Sequence, residues 1–343
     1  MKAEAYYYQL FSKGQQQAYH AIREGLLALE PHFAVPRLSG KELADLYFAI
    51  RMDHPEIFYT VKFNYRYYEK ADSVDMTPEY IFPKAKILEH RQALSSRIRK
   101  LALPAKELGE REKLLYIHDF ICQNIRYDKL KKPYSHEIIG ALGQGVAVCE
   151  GIAKAVKSLC DELGIWCILA LSEANPEKGI KYRHAWNVIR LGGQYYHFDA
   201  TFDNTISTDA SLRYDYVCLS DAQIFRDHEP PIWKLPVCGD GAHTWYQEKK
   251  LSFTRYEDVR NRAKQAAKKG KPLLFHWRGG YLTREVLQDL LAILYEEAEG
   301  REKRAKVSLN WPQAVLQVTF LPKEELAESG YQLEAVNEGE QEQ

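Results

Sequence analysis

The chain has 343 residues, enough for two or three folded units, and its 45% hydrophobic and 27% charged residues sit near the globular average. That balance excludes a chain disordered throughout, 20 Gly and 14 Pro exclude a collagen-like one, and 47 basic against 47 acidic residues leave no overall field to gather nucleic acid. No apolar run reaches the ~20 residues of a membrane span, the opening MKAEAYYYQL lacks a signal-peptide core, and six Cys without a CxxC do not form a disulfide framework, so the expectation is a soluble, cytoplasmic protein with free thiols.

Residues 1–105 read as a mixed α/β lead-in. Ser39 and Glu42 have capping-box spacing ahead of Leu43, Leu46, Tyr47 and Ile50, and Pro55 predicts that this helix ends near Asp53. Ile57, Tyr59, Val61, Phe63, Tyr65 and Tyr67 alternate as in a half-buried strand. A helix is expected from about Lys84 to Leu101, with Leu88, Ile98 and Leu101 on its apolar side.

Residues 106–240 are the informative middle. A helix near Glu110–Arg126 aligns Leu114, Ile117, His118, Ile121 and Ile125 on one stripe, with Cys122 at its edge as a core thiol. A second helix, Cys149 to Leu163, buries Ile152, Val156, Leu159, Cys160 and Leu163 and stops at Gly164. Strands are expected at Trp166–Leu171, His184–Leu191, Gln194–Thr201 and Tyr214–Leu219.

Residues 245–322 read as a small C-terminal α/β domain. Its order is helix Tyr256–Lys269, strand Leu273–Trp277, helix Arg284–Glu299 between Thr283 and Gly300, and strands Val307–Trp311 and Val315–Phe320. The charges Arg260, Arg262, Lys264, Lys268 and Lys269 read as a solvated face rather than an anion site. Residues 323–343 form an acidic tail.

Cys149 differs from the other five Cys by its setting. It opens an amphipathic helix, where unsatisfied N–H groups favour a thiolate and can receive an oxyanion beside the sulfur. Gly151 admits a close approach, while the Glu150 carboxylate opposes thiol ionisation unless it points to solvent. Cys160 and Cys167 fall on core positions, and Cys218 sits in a strand.

The partners come from a hairpin. Gly192-Gly193 between two alternating runs reads as a two-residue turn, pairing Leu191 with Gln194, Trp186 with Asp199 and His184 with Thr201. His184, Trp186, Asp199 and Thr201 then share a face, and Asp199 is the diagonal neighbour of His184 at roughly 7 Å. His184 and Asp199 are thus a base with an orienting carboxylate, the half of a triad that serves a nucleophile. His197 shares that face but has no diagonal carboxylate. No metal site is expected, since His228, Cys238 and His243 lack zinc spacing, and no phosphate-binding glycine loop points to a cofactor.

The segments VCEGIAKAVKSLCDELGI, RHAWNVIRLGGQYYHFDATFDN and YDYVCLSDAQIFRDH resemble the bacterial transglutaminase-like proteins, whose superfamily also holds transglutaminases, microbial cysteine peptidases and peptide N-glycanases. The family pattern is Cys-x-Gly on a helix, His-Ala-Trp-Asn on a strand and Asp-x-Thr-Trp-Asp on the next. It falls here on Cys149 and Gly151, His184–Asn187, and Asp199–Asp203, with Phe202 in place of Trp and Ala200 where Pro is common. The resemblance covers about residues 106–240. It implies an α+β, papain-like core, with a Cys-bearing helix packed on an antiparallel sheet, and Cys149, His184 and Asp199 as catalytic triad. Gln144 is the candidate second oxyanion donor.

Two functions are compatible with these residues. One is a thiol enzyme acting on amide bonds of a protein or peptide substrate, either a peptidase or amidase with water as acceptor or a transglutaminase with an amine. Trp186, Tyr182 and Tyr195 are candidates for its cleft wall. The other is a non-catalytic interaction or scaffold module built on the same core. The intact set Cys149, His184 and Asp199 favours the enzyme.

Overall fold

Side-chain caps start the first two helices. Ser12 and Gln15 form the capping box of α1 (Lys13–Ala28), and Ser39 and Glu42 that of α2 (Gly40–Asp53), which ends where the sequence places it. The computed structural model describes residues 5–208 and 211–323. Within these, β1 (Phe33–Pro36), β2 (Thr60–Tyr67) and β3 (Ser73–Tyr80) form an antiparallel sheet in the order β1-β3-β2. Asp53, buried at the end of α2, accepts hydrogen bonds from the backbone of Tyr7 and Tyr8 and from the Tyr19 hydroxyl at 2.8 Å. In α3 (Lys84–Ala102) the buried residues are Ile87, Leu94 and Ala102. Leu88, expected on the apolar side, is 49% exposed. The stripe runs through Ile87 and Leu94, and Leu88 lies ~100° round the helix from it.

The second half of this unit holds the helix and hairpin that the sequence singles out. Helix α4 (Glu110–Asn124) buries Leu114, Ile117, His118 and Ile121. Strand β4 (Arg126–Tyr127) then pairs in parallel with β5 (Val146–Ala147), Tyr127 opposite Ala147. Helix α5 (Cys149–Leu163) follows at once, buries its whole expected stripe and stops at Gly164 with φ 76°. It packs on two strands of an antiparallel array, β6 (Trp166–Ser172) and β7 (His184–Leu191), with β8 (Gln194–Phe198) pairing on the far side of β7. Gly192 and Gly193 make the turn at φ 55° and 84°, values that glycine adopts without strain. The register is as counted, from Leu191 opposite Gln194 to Asn187 opposite Phe198.

The expectation that this strand continues to Thr201 is corrected. It ends at Phe198, because the Asp199 carboxylate accepts the N–H groups of Thr201 and Phe202 and starts a helix, α6 (Ala200–Ile206).

Two compact units divide the chain. Of the described residues, the first takes 5–173, 183–208, 211–216 and 230–238, and the second 174–182, 217–229 and 239–323. The second contains β9 (Val217–Leu219), α7 (Asp221–Ile224), α8 (Trp245–Glu248), β10 (Ser252–Phe253), α9 (Tyr256–Lys269), β11 (Leu273–Trp277), α10 (Arg284–Glu299), β12 (Lys303–Asn310) and β13 (Val315–Pro322). Four of its strands form a sheet in the order β10-β11-β13-β12, and its core gathers Val259, Phe275, Leu290, Leu294, Leu316 and Val318. The bond from Gln313 Nε2 to the Gln223 carbonyl, 3.2 Å, ties the early segment of this unit to its sheet. Beyond Lys323 the acidic tail lies outside the described residues. No helix among the described residues is long and apolar enough to cross a membrane.

Candidate active site

Cys149 is the first residue of α5. Val148 before it gives the helix no side-chain cap, so the first-turn N–H groups keep their pull on a negative charge. The approach to the helix is held by backbone bonds, Asp128 N–H to Ala147 carbonyl and Val148 N–H to Ser135 carbonyl, both 3.0 Å. Gly151 lets the helix lie against that Ser135 carbonyl, since a Cβ there would stand 2.2 Å from the oxygen. The Cys149 thiol is half-buried, 4.0 Å from the Arg183 carbonyl.

His184 opens β7, and its Nε2 meets Asp199 Oδ2 at 2.5 Å. Cys149 acts electrostatically on the same imidazole. The structure therefore brings Cys149, His184 and Asp199 into one series. Burial alone would disfavour an imidazolium, but the Asp199 charge and hydrogen bond outweigh it, with Cys149 adding to them, and His184 is pushed up to about 10. The ring sits between Trp186, stacked at 5.8 Å, and Phe202 at 4.6 Å. Phe202, the departure from the family pattern, thus fills an aromatic place against the histidine. Trp186 is itself buried and donates its Nε1–H to His197 Nδ1 at 2.9 Å. That bond explains His197 on this face and makes Trp186 a support for His184 rather than a cleft wall. Tyr195 packs edge-on against Trp166, and Tyr182 is exposed.

Asp199 is buried and uses both oxygens. Oδ2 holds His184, while Oδ1 accepts Thr201 N–H at 2.7 Å and Phe202 N–H at 3.1 Å. Thr201 therefore meets Asp199 through its backbone and does not stand opposite His184 on a strand. Gln144 ends a π-helical turn, Ile139–Gln144, with its side chain exposed.

Three features go beyond the sequence reading. Glu150 does not point to solvent. It is ion-paired at 2.8 Å with Lys154, at 3.6 Å with Arg51 and at 3.3 Å with His136. Burial opposes its charge, but Lys154 and the other cations prevail and hold it well below the usual carboxylate range. Tyr127 is the second feature. Burial raises its phenol, and the charges of Cys149 and Asp199 raise it further, which places it in the field of the site. Third, His118 on α4 bonds Asp203 at 3.1 Å and Asp119 at 3.0 Å. Asp203 also accepts the Asp215 N–H at 2.8 Å, so the last residue of the Asp199–Asp203 run is a clasp between α4, α6 and the chain beyond. The alternation of Glu150 and Lys154 at i,i+4 was readable. The arrival of Arg51, far away in the sequence, was not.

Residues 92–200 match the family model described as the transglutaminase-like superfamily. No curated protein matches the chain. Among solved structures, one described as "a Putative Cysteine Protease from Cytophaga hutchinsonii" is 17% identical over 41% of this chain and 62% of its own, with TM-score 0.27. A crystal structure of a TGase is 13% identical over 53% of each chain, TM-score 0.28. A "putative protease from Parabacteroides distasonis" is 11% identical over 77% of this chain and 63% of its own, TM-score 0.23. The chain thus spans less than two thirds of the length of each of these structures.

Proposed function

We propose that this protein, whose residues 92–200 are a transglutaminase-like core, is a thiol-dependent acyl-transfer enzyme acting on amide bonds of proteins or peptides. The observation that carries the reading is the hydrogen-bonded pair of His184 and Asp199 in the field of Cys149, with that thiol at an uncapped helix start. Cys149 is the nucleophile. His184, whose Nε2 is engaged by Asp199, takes the thiol proton. Attack on the amide carbonyl puts negative charge on its oxygen, and the N–H groups of the first turn of α5 receive it. His184 then protonates the leaving amine and a thioester remains on Cys149. Water resolves the thioester in a peptidase or amidase, and a primary amine does so in a transglutaminase. Asp199 keeps the imidazole in one orientation and stabilises its charged form. Gln144 is a candidate second oxyanion donor. No cofactor or metal takes part in this scheme, and six free thiols fit a reducing compartment such as the cytoplasm.

The test is mass spectrometry of a mixed peptide digest incubated with the protein, with and without a primary amine. Hydrolysis, deamidation and amine incorporation give different mass changes. All should vanish in Cys149→Ala, which keeps a good helix former at the start of α5. Products that persist in this variant would assign the chemistry elsewhere, and a wild type inert towards every digest would favour an interaction module.

A further inference from the structure

A carboxylate one residue along from a nucleophilic thiol is a liability, because it raises the cost of the thiolate. In α5 that carboxylate is Glu150, and it is folded into a closed set of charges. Lys154 Nζ lies 2.8 Å from both Glu150 Oε1 and Glu137 Oε2. Arg51, reaching across from α2, pairs with Glu137 and stands 3.6 Å from Glu150 Oε1. Lys154 and Glu137 are buried, and Arg51 nearly so. The two permanent cations, Arg51 and Lys154, match the two carboxylates, Glu137 and Glu150, at the start of the helix. Remove one cation and the balance turns negative beside Cys149.

We propose that Arg51 is a positioning residue for the nucleophile: with Lys154 it anchors the Glu150 carboxylate and cancels its field at Cys149, which makes the lead-in helix α2 part of the site. This rests on the reading of Cys149 as nucleophile. The groups facing Glu150 are Arg51 from α2, His136 from the turn Pro133–His136, and Lys154 from α5. Tyr47 acts on Arg51, and Glu137 closes the set. Cys149 itself acts on His184 from β7 and Tyr127 from β4.

The experiment follows the alkylation rate of Cys149 by iodoacetamide against pH, read by peptide mass spectrometry, in wild type, Arg51→Gln, Glu150→Gln and the double variant. Loss of the Arg51 charge should move the midpoint up by about one pH unit. Loss of the Glu150 charge should move it down, and the double variant should return close to wild type. Opposite signs with recovery distinguish a charge effect from simple loosening, which would move both single variants the same way. If Arg51→Gln does not fold, Glu150→Gln alone decides, since an unmoved or raised midpoint overturns the proposal. Midpoints shifted in one direction, or no recovery in the double variant, also overturn it. Failure of the underlying reading looks different: wild-type Cys149 would then react no faster than Cys122, whatever stands at position 51.

Discussion

Asp199 carries two tasks in one carboxylate, holding His184 with one oxygen and starting α6 with the other. Asp199→Asn keeps the shape and the cap but removes the charge. Activity should fall by at least ~100-fold, as loss of an orienting carboxylate does in other triads, while Thr201→Val, which keeps the N–H that Asp199 accepts, should change far less. The pH dependence follows from the His184 shift. Its folded pKa, about 10, lies above that of a free imidazole, so the pair's contribution to stability is complete below about 6.5 and is lost as pH rises through about 10. Asp199→Asn removes that contribution, so the gap in Tm between wild type and variant should narrow across this window. The alkaline limb of kcat/KM should move towards neutral pH in the variant. An alkaline limb that stays in place would deny Asp199 its hold on His184. The pairing of these two residues was legible because Gly192-Gly193 fixes the register and a count of side chains does the rest. The helix after Asp199 was missed, because the alternating run before it suggested a strand continuing to Thr201. The partners of Glu150 were not legible, because pairing over such a sequence distance is set by tertiary packing.

At the scale of elements, α5 is where sequence and structure agree most closely. Its boundaries, buried stripe and left-handed Gly164 all follow from a 3.6-residue period and a stop signal. The same reasoning misplaced Leu88 on α3, where only Ile87, Leu94 and Ala102 are buried and a sparse stripe gives a weak phase. Gly151 shows what the period does not contain. It faces the turn Pro133–His136 so closely that a methyl group would press on the Ser135 carbonyl and stand 3.1 Å from the Ala147 side chain. Both contacts involve the segments that lead into Cys149, so the helix start must shift to relieve them. Gly151→Ala should therefore cost ~1–3 kcal/mol, seen as a Tm lower by several degrees in thermal unfolding, despite the better helix propensity of Ala. A Tm at or above that of the wild type would mean that the segment yields freely and that the close approach is incidental.

Across the whole molecule the chain crosses five times between its two units, with residues 174–182 and 217–229 grouped with the C-terminal sheet rather than with their sequence neighbours. Composition carries no mark of such an exchange, whereas the helices α9 and α10 have the bounds that local periodicity and stop signals give, and β12 starts at Lys303, four residues before the expected Val307. The six thiols are spread over this architecture in unlike settings. Cys160, Cys167, Cys218 and Cys238 are buried, and only Cys122 and Cys149 are half-buried. Cys122 lies inside α4 near His118, and burial pushes its thiol up although His118 pulls the other way. It is thus a control of similar exposure without a helix start. The most direct test of Cys149 as nucleophile is a competition among all six thiols for a limiting amount of iodoacetamide at mildly acidic pH, read by peptide mass spectrometry in wild type and His184→Ala. Cys149 should react ~10-fold or more faster than Cys122, and His184→Ala should remove that lead. Equal rates for the two cysteines, or a lead that survives the loss of His184, would contradict it.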